Sequence, residues 1–372
     1  MYKYDNRVVM TLDAGGTNFV FSAIRSYEEV LPPISYPSHA DNLQECLGIM
    51  EQGFSELRRQ LAEKDIQPVA ISFAFPGPAD YSRGIIDNNN NLKAFRGGVP
   101  LGDFLKMKFD LPVYINNDAD LFAYGEAIAG ALPETNARLK AIGYPKQFRN
   151  LVGFTFGTGF GCGMTTNGEL YIGDNSSAGE IIHMRHKYKH DIFVEDGVSI
   201  RAIKRVYHEH CDDPRDLSPK EIREIADGLR EGHRDAAIKS IEEFGEVAGD
   251  GIANAMTLLD GLIVLGGGLC GNRQYFLPVL MKELNGTLGT VAGNRISRMM
   301  TKVYNLDDDE GLKEFVGNTL KKVKIPGTDI EVDYDPVKKI GLVFSKLGTS
   351  KATSIGAYAF ALHELDKLER RY

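Results

Sequence analysis

The chain has 372 residues, enough for two domains, and its 43% hydrophobic and 25% charged content excludes disordered, collagen-like and coiled-coil classes. Its net charge of -8 is spread along the sequence without a basic stripe, so we expect no nucleic-acid partner. The four cysteines lack paired spacing and no apolar run has membrane-spanning length, so we expect a reduced, cytoplasmic protein with no membrane partner.

The first predicted element is a β-hairpin. Two β-rich runs, Val8 to Leu12 and Phe19 to Ala23, flank the sequence Asp13-Ala-Gly-Gly-Thr17. Paired glycines let backbone N–H groups approach an anion, while Thr17 adds a hydroxyl and Asp13 a carboxylate that can hold a metal ion. Taken alone, such a sequence is more often only a turn. Its interpretation as a phosphate and magnesium site therefore depends on the rest of the chain.

The next predicted elements complete a βββαβ order. A third strand is possible over 30–36, apolar residues at spacings of three and four predict an amphipathic helix over 41–63, and the apolar run 69–75 predicts a buried strand. Residues 88–91 are all asparagine and are expected to form a solvated loop. In that loop Asn91 could bind a small polar ligand.

A cluster of amides and carboxylates follows the short strand predicted over 112–115. The sequence Asn116-Asn117-Asp118-Ala119-Asp120 leads into a helix predicted over 119–129. Each of these residues alone suits a helix start. An Asp at a strand end facing a phosphate site, with an amide beside it, is also the arrangement that accepts a hydroxyl proton during phosphoryl transfer.

The second half of the chain carries two glycine-rich segments. Residues 131–150 are expected to be a charged connection, after which a second hairpin contains Gly157-Thr158-Gly159-Phe-Gly-Cys-Gly163. Glycines at alternate positions weaken a strand unless another backbone or a ligand comes close. The sequence Gly266-Gly-Gly-Leu-Cys-Gly271 matches a dinucleotide fingerprint formally, but no strand ending in an acidic residue follows at the ribose-binding distance, which disfavours a Rossmann site.

Helical patterns cover 200–207, 219–258 and 274–284. Residues 286–340 are expected to be an extension that typical related proteins lack. The charged run 307–310 within that extension is best explained as a solvated helix start.

Four segments in order resemble the phosphate 1, phosphate 2, sugar and adenosine motifs of the ROK family of sugar kinases: Asp13-Ala-Gly-Gly-Thr17, Gly157-Thr-Gly-Phe-Gly-Cys-Gly163, Ala178-Gly-Glu-Ile-Ile-His183 and Val264-Leu-Gly-Gly-Gly-Leu269. The resemblance implies an α/β fold of the actin-like ATPase (ribonuclease H-like) class, with two lobes around a central cleft that holds ATP and sugar. We expect an N-terminal lobe over 1–130, with the C-terminal helix, about 355–372, packing back on it, and a second lobe over 131–354.

The resemblance also implies a role for each matching residue. The residues expected to bind ATP are Asp13, Gly15, Gly16, Thr17, Thr158, Gly159, Gly267 and Gly268. Asp13 would place Mg²⁺ indirectly, and Asp118 matches the catalytic base. The residues expected to bind sugar hydroxyls are Asn91, Asn117, Glu180, His183 and Glu195.

The interval between His183 and Glu195 departs from the zinc-containing members, which have three cysteines there. We therefore expect no zinc with the family's ligands. His183, His186 and His190 could bind a metal by themselves, but solvated or hydrogen-bonded histidines are the favoured interpretation.

The activity implied by the resemblance is Mg²⁺- and ATP-dependent phosphorylation of a hexose hydroxyl, with glucose and N-acetylglucosamine as leading substrates and mannose, N-acetylmannosamine and fructose behind them. Some family members are repressors with a preceding DNA-binding segment. Because the first motif begins a few residues after Met1, we expect an enzyme instead. A non-catalytic sugar-binding or regulatory protein is the other alternative, and a homodimer is the family expectation.

Overall fold

The computed structural model of the protein describes residues 1–15, 17–87 and 93–370. Two residues predicted to contact ligands, Gly16 and Asn91, lie outside these described residues, as does the rest of the asparagine run. None of the helices in the described ranges is long and apolar enough to cross a membrane.

The strands, in chain order, are β1 (Val8–Ala14), β2 (Asn18–Arg25), β3 (Glu28–Glu29), β4 (Ile34–Pro37), β5 (Pro68–Ala74), β6 (Ala79–Asp80), β7 (Ile85–Ile86), β8 (Val99–Pro100), β9 (Val113–Asn116), β10 (Leu151–Phe156), β11 (Phe160–Thr166), β12 (Glu169–Leu170), β13 (Leu262–Gly266), β14 (Thr287–Gly289), β15 (Arg295–Ser297), β16 (Lys302–Asn305), β17 (Lys321–Lys324), β18 (Glu331–Tyr334) and β19 (Lys339–Phe344).

The α-helices are α1 (Leu43–Ala62), α2 (Leu101–Phe109), α3 (Asp118–Ile128), α4 (Ala131–Ala141), α5 (Ile200–Glu209), α6 (Pro219–Ala226), α7 (Arg234–Leu258), α8 (Arg273–Leu284), α9 (Asp309–Val316) and α10 (Thr349–Glu369). Short 3₁₀ turns occupy Ile181–His183, Val194–Gly197 and Gly268–Asn272.

The chain forms two compact units. The first comprises Met1–Glu134, Cys162–Gly179 and Ser345–Tyr372, and the second comprises Thr135–Gly161 and Glu180–Phe344. The chain therefore passes between the units several times.

The segment 162–179, which we expected in the second lobe, is part of the first unit. Its glycines explain why: a Cβ on Gly163 would lie 2.3 Å from the carbonyl oxygen of Ala119, at the start of α3. A Cβ on Gly179, whose φ is +82°, would lie 2.4 Å from the carbonyl oxygen of Cys162. Only glycine permits these two backbone contacts.

The sheet of the first unit has the order β3-β2-β1-β5-β9, with β4 also paired to β2. The predicted hairpin of β1 and β2 is confirmed as an antiparallel pair. Because β1, β5 and β9 are parallel, their carboxyl ends share one edge, where Asp13, Ala74 and Asn116 occupy one row of the ladder. The chemistry-bearing residues that follow β1 and β9 are thus brought to the same edge.

One face of this sheet is covered by α1, whose apolar stripe confirms the predicted amphipathic helix. Phe54 on α1 is fully buried and packs edge-on against Phe21, with ring centroids 5.0 Å apart. Asn42 caps the helix by accepting the N–H groups of Gln44 and Glu45 through its side chain. This packing fixes the strands whose carboxyl ends carry Asp13 and Asn116.

The same sheet also packs against α10, which contacts α3, β5 and β1. The two helices approach closely, because a Cβ on Gly125 of α3 would lie 1.9 Å from the carbonyl oxygen of Ala352, and a Cβ on Gly356 of α10 would lie 1.9 Å from that of Leu121. α10 therefore supports the helix whose first turn carries Asp118.

In the second unit, β10, β13, β19 and β16 are adjacent and parallel. The buried rings of Phe156, Phe244 and Phe276 join β10 to helices α7 and α8, with centroids 5.2 to 5.8 Å apart. Thr155 at the end of β10 pairs with Gly266 at the end of β13. The two predicted glycine loops therefore leave the same edge of this sheet.

In three regions the structure contains more secondary structure, or more separate elements, than the sequence predicted. Residues 131–150 contain the helix α4, in which Thr135 and Leu139 are buried. The helical pattern of 219–258 is divided into α6 and α7 at Asp227, which caps α6. The extension includes the two-stranded sheets β14–β15 and β17–β18 as well as α9, whose predicted solvated start is confirmed, with Asp308 as its N-cap.

Candidate active site

Asp118 lies in the first turn of α3, directly after β9. Its carboxylate is accessible to solvent and its Oδ1 accepts the N–H of Ala119 at 2.9 Å. Desolvation by the protein around it raises the pKa of Asp118, hydrogen bonds from its own N–H and that of Ala119 oppose the shift, and the nearby Asp13 raises the pKa further. A carboxylate that is reachable yet poorly solvated, with no cation beside it in the described residues, is a competent proton acceptor.

Two asparagines orient the strand-to-helix turn that holds Asp118. Asn116 is buried and its Oδ1 accepts the N–H of Asn117 at 2.8 Å. Asn117 is the N-cap of α3, and its own Oδ1 accepts the N–H of Ala119 at 2.8 Å. With that oxygen accepting one hydrogen bond, the amide NH₂ of Asn117 is the group that can donate to a ligand. The supporting role of Asn116 was missed by the sequence analysis, although the Asn-Asn-Asp cluster pointed to it.

The hairpin tip contributes Asp13, Gly15 and Thr17. Asp13 is exposed at the end of β1, and desolvation raises its pKa. The N–H of Gly15 donates to the carbonyl of Asn18 at 3.1 Å, so Gly15 closes the turn and does not have a free N–H for phosphate. Thr17 is exposed, and its hydroxyl makes no hydrogen bond within the described part of the chain. The tip thus presents a carboxylate and a hydroxyl.

In the second unit, the loop after β10 presents Thr158 and Gly159. Thr158 is exposed, and the N–H of Gly157 donates to the carbonyl of Gly159 at 3.1 Å, which makes the loop a tight turn. The carbonyl of Gly157 accepts the N–H of Ile200 at 3.0 Å. A Cβ on Gly157 would meet nothing within 4 Å, whereas one on Gly159 would lie 2.4 Å from Oε2 of Glu195.

The loop after β13 contains Gly267 and Gly268, which have different structural roles. Gly267 has a φ of +96°, and a Cβ there would lie 2.2 Å from the carbonyl oxygen of Phe156, so this residue must be glycine for the backbones to pack. A Cβ on Gly268 would meet nothing within 4 Å. Gly268 is therefore the residue of the pair beside open space in which a ligand could lie.

The predicted sugar-binding residues Glu180, His183 and Glu195 all belong to the second unit. Glu180 and His183 are exposed at either end of one 3₁₀ turn, where the N–H of His183 donates to the carbonyl of Glu180. Glu195 lies in the next 3₁₀ turn, and its side chain is only 19% exposed. Its Oε2 accepts the N–H of Phe160 at 3.2 Å and its Oε1 accepts Arg201 at 3.2 Å. Arg201 was not identified from the sequence, where it is one of several basic residues in an amphipathic helix.

The loop between His183 and Glu195 is organised by His186. This residue is 1% exposed, and its Nδ1 accepts the N–H groups of Tyr188 and Lys189 at 3.1 and 3.3 Å. Desolvation, with smaller contributions from Arg205 and Lys189, lowers its pKa, so the ring is neutral. No group of three or more His, Cys, Asp or Glu side chains that could hold a metal ion is found among the described residues.

A further buried carboxylate, Glu126, supports the site from the last turn of α3. It is fully buried and accepts the N–H groups of Ala131 and Leu347 at 2.7 and 3.1 Å, along with the hydroxyl of Ser345. These contacts fasten α3 to the segment that leads into α10. Its signal in the sequence is a single carboxylate after the first turn of α3, among apolar and small residues.

Comparison with known proteins gives a consistent assignment. A model of the ROK family matches residues 9–312. The N-acetyl-D-glucosamine kinase of Haemophilus influenzae is 26% identical over 294 residues, which cover 73% of this chain and 88% of that protein. The xylose repressor of Caldicellulosiruptor bescii is 27% identical over 231 residues, covering 58% of this chain and 53% of the repressor.

Among solved structures, the glucokinase of Parabacteroides distasonis superposes with a TM-score of 0.86 at 51% identity, over 98% of this chain and 99% of that one. The fold is the actin-like ATPase fold of these kinases, as the motif resemblance implied. With the family model spanning most of its length and a half-identical relative sharing its fold, the chain belongs to the ROK family.

Proposed function

We propose that the protein is an ATP-dependent sugar kinase that transfers the γ-phosphoryl group to a hexose hydroxyl, the 6-hydroxyl, of glucose, N-acetylglucosamine or both. The observation that carries this proposal is the placement of Asp118 on the same sheet edge as Asp13 and the Asp13-to-Thr17 turn. The names of the kinase relatives support the reaction class.

Asp118 is the proposed general base. It would accept the proton of the attacking hydroxyl while that oxygen bonds to phosphorus and the bond to ADP breaks. The raised pKa of Asp118 suits this role because it brings the base closer to the operating pH. A positioned base of this kind contributes about 10² to 10⁴ in rate.

ATP is the proposed phosphoryl donor, held at the hairpin tip by Asp13, Gly16 and Thr17, by the loop with Thr158 and Gly159, and by Gly268. Gly15 and Gly267 would shape the two loops beside the nucleotide. Asp13 fits a ligand of hydrated Mg²⁺, because its exposed carboxylate has no cation partner within the described residues. When bound, magnesium would neutralise charge on the β- and γ-phosphates. No zinc is part of the proposal.

The sugar hydroxyls would be held by Asn91, Asn117, Glu180, His183 and Glu195. Among those that the structure describes, Asn117 offers an amide donor and Glu195 offers a carboxylate with a fixed orientation. The same residue types could serve N-acetylmannosamine, mannose or fructose.

The repressor relatives support a second candidate, a non-catalytic sugar-binding or regulatory protein. We also propose that the protein acts in the cytoplasm and forms a homodimer.

The decisive test is phosphorylation by the purified protein with Mg²⁺ and ATP against glucose, N-acetylglucosamine, mannose, N-acetylmannosamine and fructose. We expect turnover of glucose or N-acetylglucosamine. Asp118→Asn should lose about 10² to 10⁴ in kcat while keeping sugar affinity by calorimetry. Asp329→Asn, at a fully exposed carboxylate, is the matched control and should be unaffected. Sugar binding without turnover would favour the regulatory candidate, and a near wild-type rate in Asp118→Asn would remove Asp118 from the role.

A further inference from the structure

Glu195 is in direct contact with the loop that follows β10. Its Oε2 accepts the N–H of Phe160, and a Cβ on Gly159 would lie 2.4 Å from the same oxygen. The three heavy atoms nearest to that Cβ position, outside the neighbouring residues of the chain, all belong to the Glu195 carboxyl group. Glycine at 159 therefore leaves room for the carboxylate, and the carboxylate in turn holds the loop.

A second contact joins the same two segments. The N–H of Ile200, at the start of α5, donates to the carbonyl of Gly157 at 3.0 Å. The segment from Glu195 to Ile200 thus holds the loop at both ends. The Glu195 carboxylate is thus in direct contact with both Gly159 and Phe160.

Arg201 holds the other oxygen of Glu195. Its guanidinium donates to Oε1 at 3.2 Å and lies 3.7 Å from Asp196. Since Arg201 is 59% exposed, it is free to follow the carboxylate, and its positive charge offsets the negative charge that Glu195 brings to the loop.

We propose that Glu195 couples the two substrates: a sugar hydroxyl that donates to its carboxylate strengthens nucleotide binding at the Thr158–Gly159 loop, with Arg201 as a positioning residue. This inference rests on the proposed function, which assigns sugar to Glu195 and ATP phosphates to the loop. The reason is electrostatic, because a donor from the sugar draws negative charge away from a loop that must receive anionic phosphates. By linkage, nucleotide must strengthen sugar binding by the same factor.

The test uses whichever sugar the protein phosphorylates, glucose or N-acetylglucosamine. It measures the dissociation constant of that unphosphorylated sugar with and without Mg²⁺ and a non-hydrolysable ATP analogue. The wild type should bind sugar about fivefold more tightly or better when the analogue is present. In Gly159→Ala, where the new methyl group displaces Glu195, this factor should fall to about one. Gly157→Ala is the matched control in the same loop, and its factor should stay within about twofold of the wild type because no atom lies in the way.

Arg201→Gln should reduce the coupling factor and Arg201→Lys should restore part of it, which a merely structural role in folding would not do. A wild-type protein that phosphorylates sugar with a coupling factor of one overturns this inference and leaves the proposed function intact. So does a Gly159→Ala variant with the wild-type factor. A wild type that phosphorylates no sugar in the panel removes the proposed function, and the coupling with it.

Discussion

Asp118 combines two properties that oppose each other in most carboxylates. It is accessible to solvent, yet desolvation by the protein and the neighbouring Asp13 favour its protonated form. The N–H groups at the start of α3 limit the shift. A carboxylate held in this way is a stronger base than an ordinary surface Asp.

The raised pKa of Asp118 predicts an acid limb in the pH dependence of kcat/KM. Because Asp118, as the proposed base, must be ionised to accept a proton, we expect full activity above its raised pKa and a loss of activity as pH decreases through it. The limb should therefore lie at higher pH than the 3.9 of a free Asp would give. A pH series with the preferred sugar measures it, and a limb at or below that ordinary value would contradict the assignment.

The same shift predicts an effect of Asp118 on stability. A carboxyl group whose folded-state pKa is raised binds protons more tightly when folded, so ionising it costs stability as pH rises above the unfolded value of about 3.9. Asp118→Asn removes the charge and keeps an oxygen to accept the N–H of Ala119. We expect a higher Tm than the wild type at pH 7 and a difference that shrinks toward pH 4. Equal Tm values at pH 7 would mean that the site imposes no such cost.

At the scale of elements, the parts of the fold that could be predicted are those with a clear hydrophobic pattern. The helix α1 has apolar residues at spacings of three and four, and the strands β1, β2 and β5 are short β-rich or apolar runs. Their predicted bounds differ from the observed ones by a few residues at most. The helix α4 was missed because its buried positions are few and Pro133 and charged residues interrupt its pattern. The sequence pointed to the Asn-Asp cluster and the glycine loops because several such residues are adjacent at a strand end and the motifs follow one another in the order of a known family.

What the sequence could not supply is which backbone atoms each glycine faces. Gly157, Gly159, Gly267 and Gly268 look equivalent in the sequence, yet one faces Glu195, one faces the backbone of Phe156 and two face open space. Such contacts join residues far apart in the chain. They depend on how strands and helices pack, which no local pattern encodes.

The pair formed by α3 and α10 yields a prediction at this scale. Gly356→Ala should lower the free energy of unfolding by about 2 kcal/mol or more, because its methyl group would overlap the carbonyl of Leu121, a backbone atom that cannot turn aside. Gly48→Ala in α1 is the matched control. It has open space around it and should stabilise the protein by up to about 1 kcal/mol. Urea unfolding of both variants measures the two effects.

The Gly356→Ala variant should also lose kcat, since α3 would move and Asp118 lies in its first turn. If Gly356→Ala proves as stable as the wild type, the two helices can separate without cost, and α10 does not fix the position of α3.

For the whole molecule, the most distinctive surface is the two-stranded sheet of β17 and β18. Val323 pairs with Val332, and Lys322 pairs with Asp333 on the opposite face. The first face also carries Tyr334, and its apolar side chains are all exposed. The second face is charged, with Lys322 and Asp333 forming an ion pair. An isolated two-stranded sheet is at best marginally stable in water.

We predict that the proposed homodimer forms through this face, because the contact would remove its exposed apolar side chains from water. Val332→Glu should raise the dimer dissociation constant at least about tenfold, since a carboxylate without a partner would be buried in the contact. Val291→Glu, at a fully exposed valine outside this sheet, is the matched control and should remain dimeric. Sedimentation over a range of concentrations measures both. A monomeric wild type would remove the homodimer from the proposal, and a dimer unchanged in Val332→Glu would move the contact to another surface.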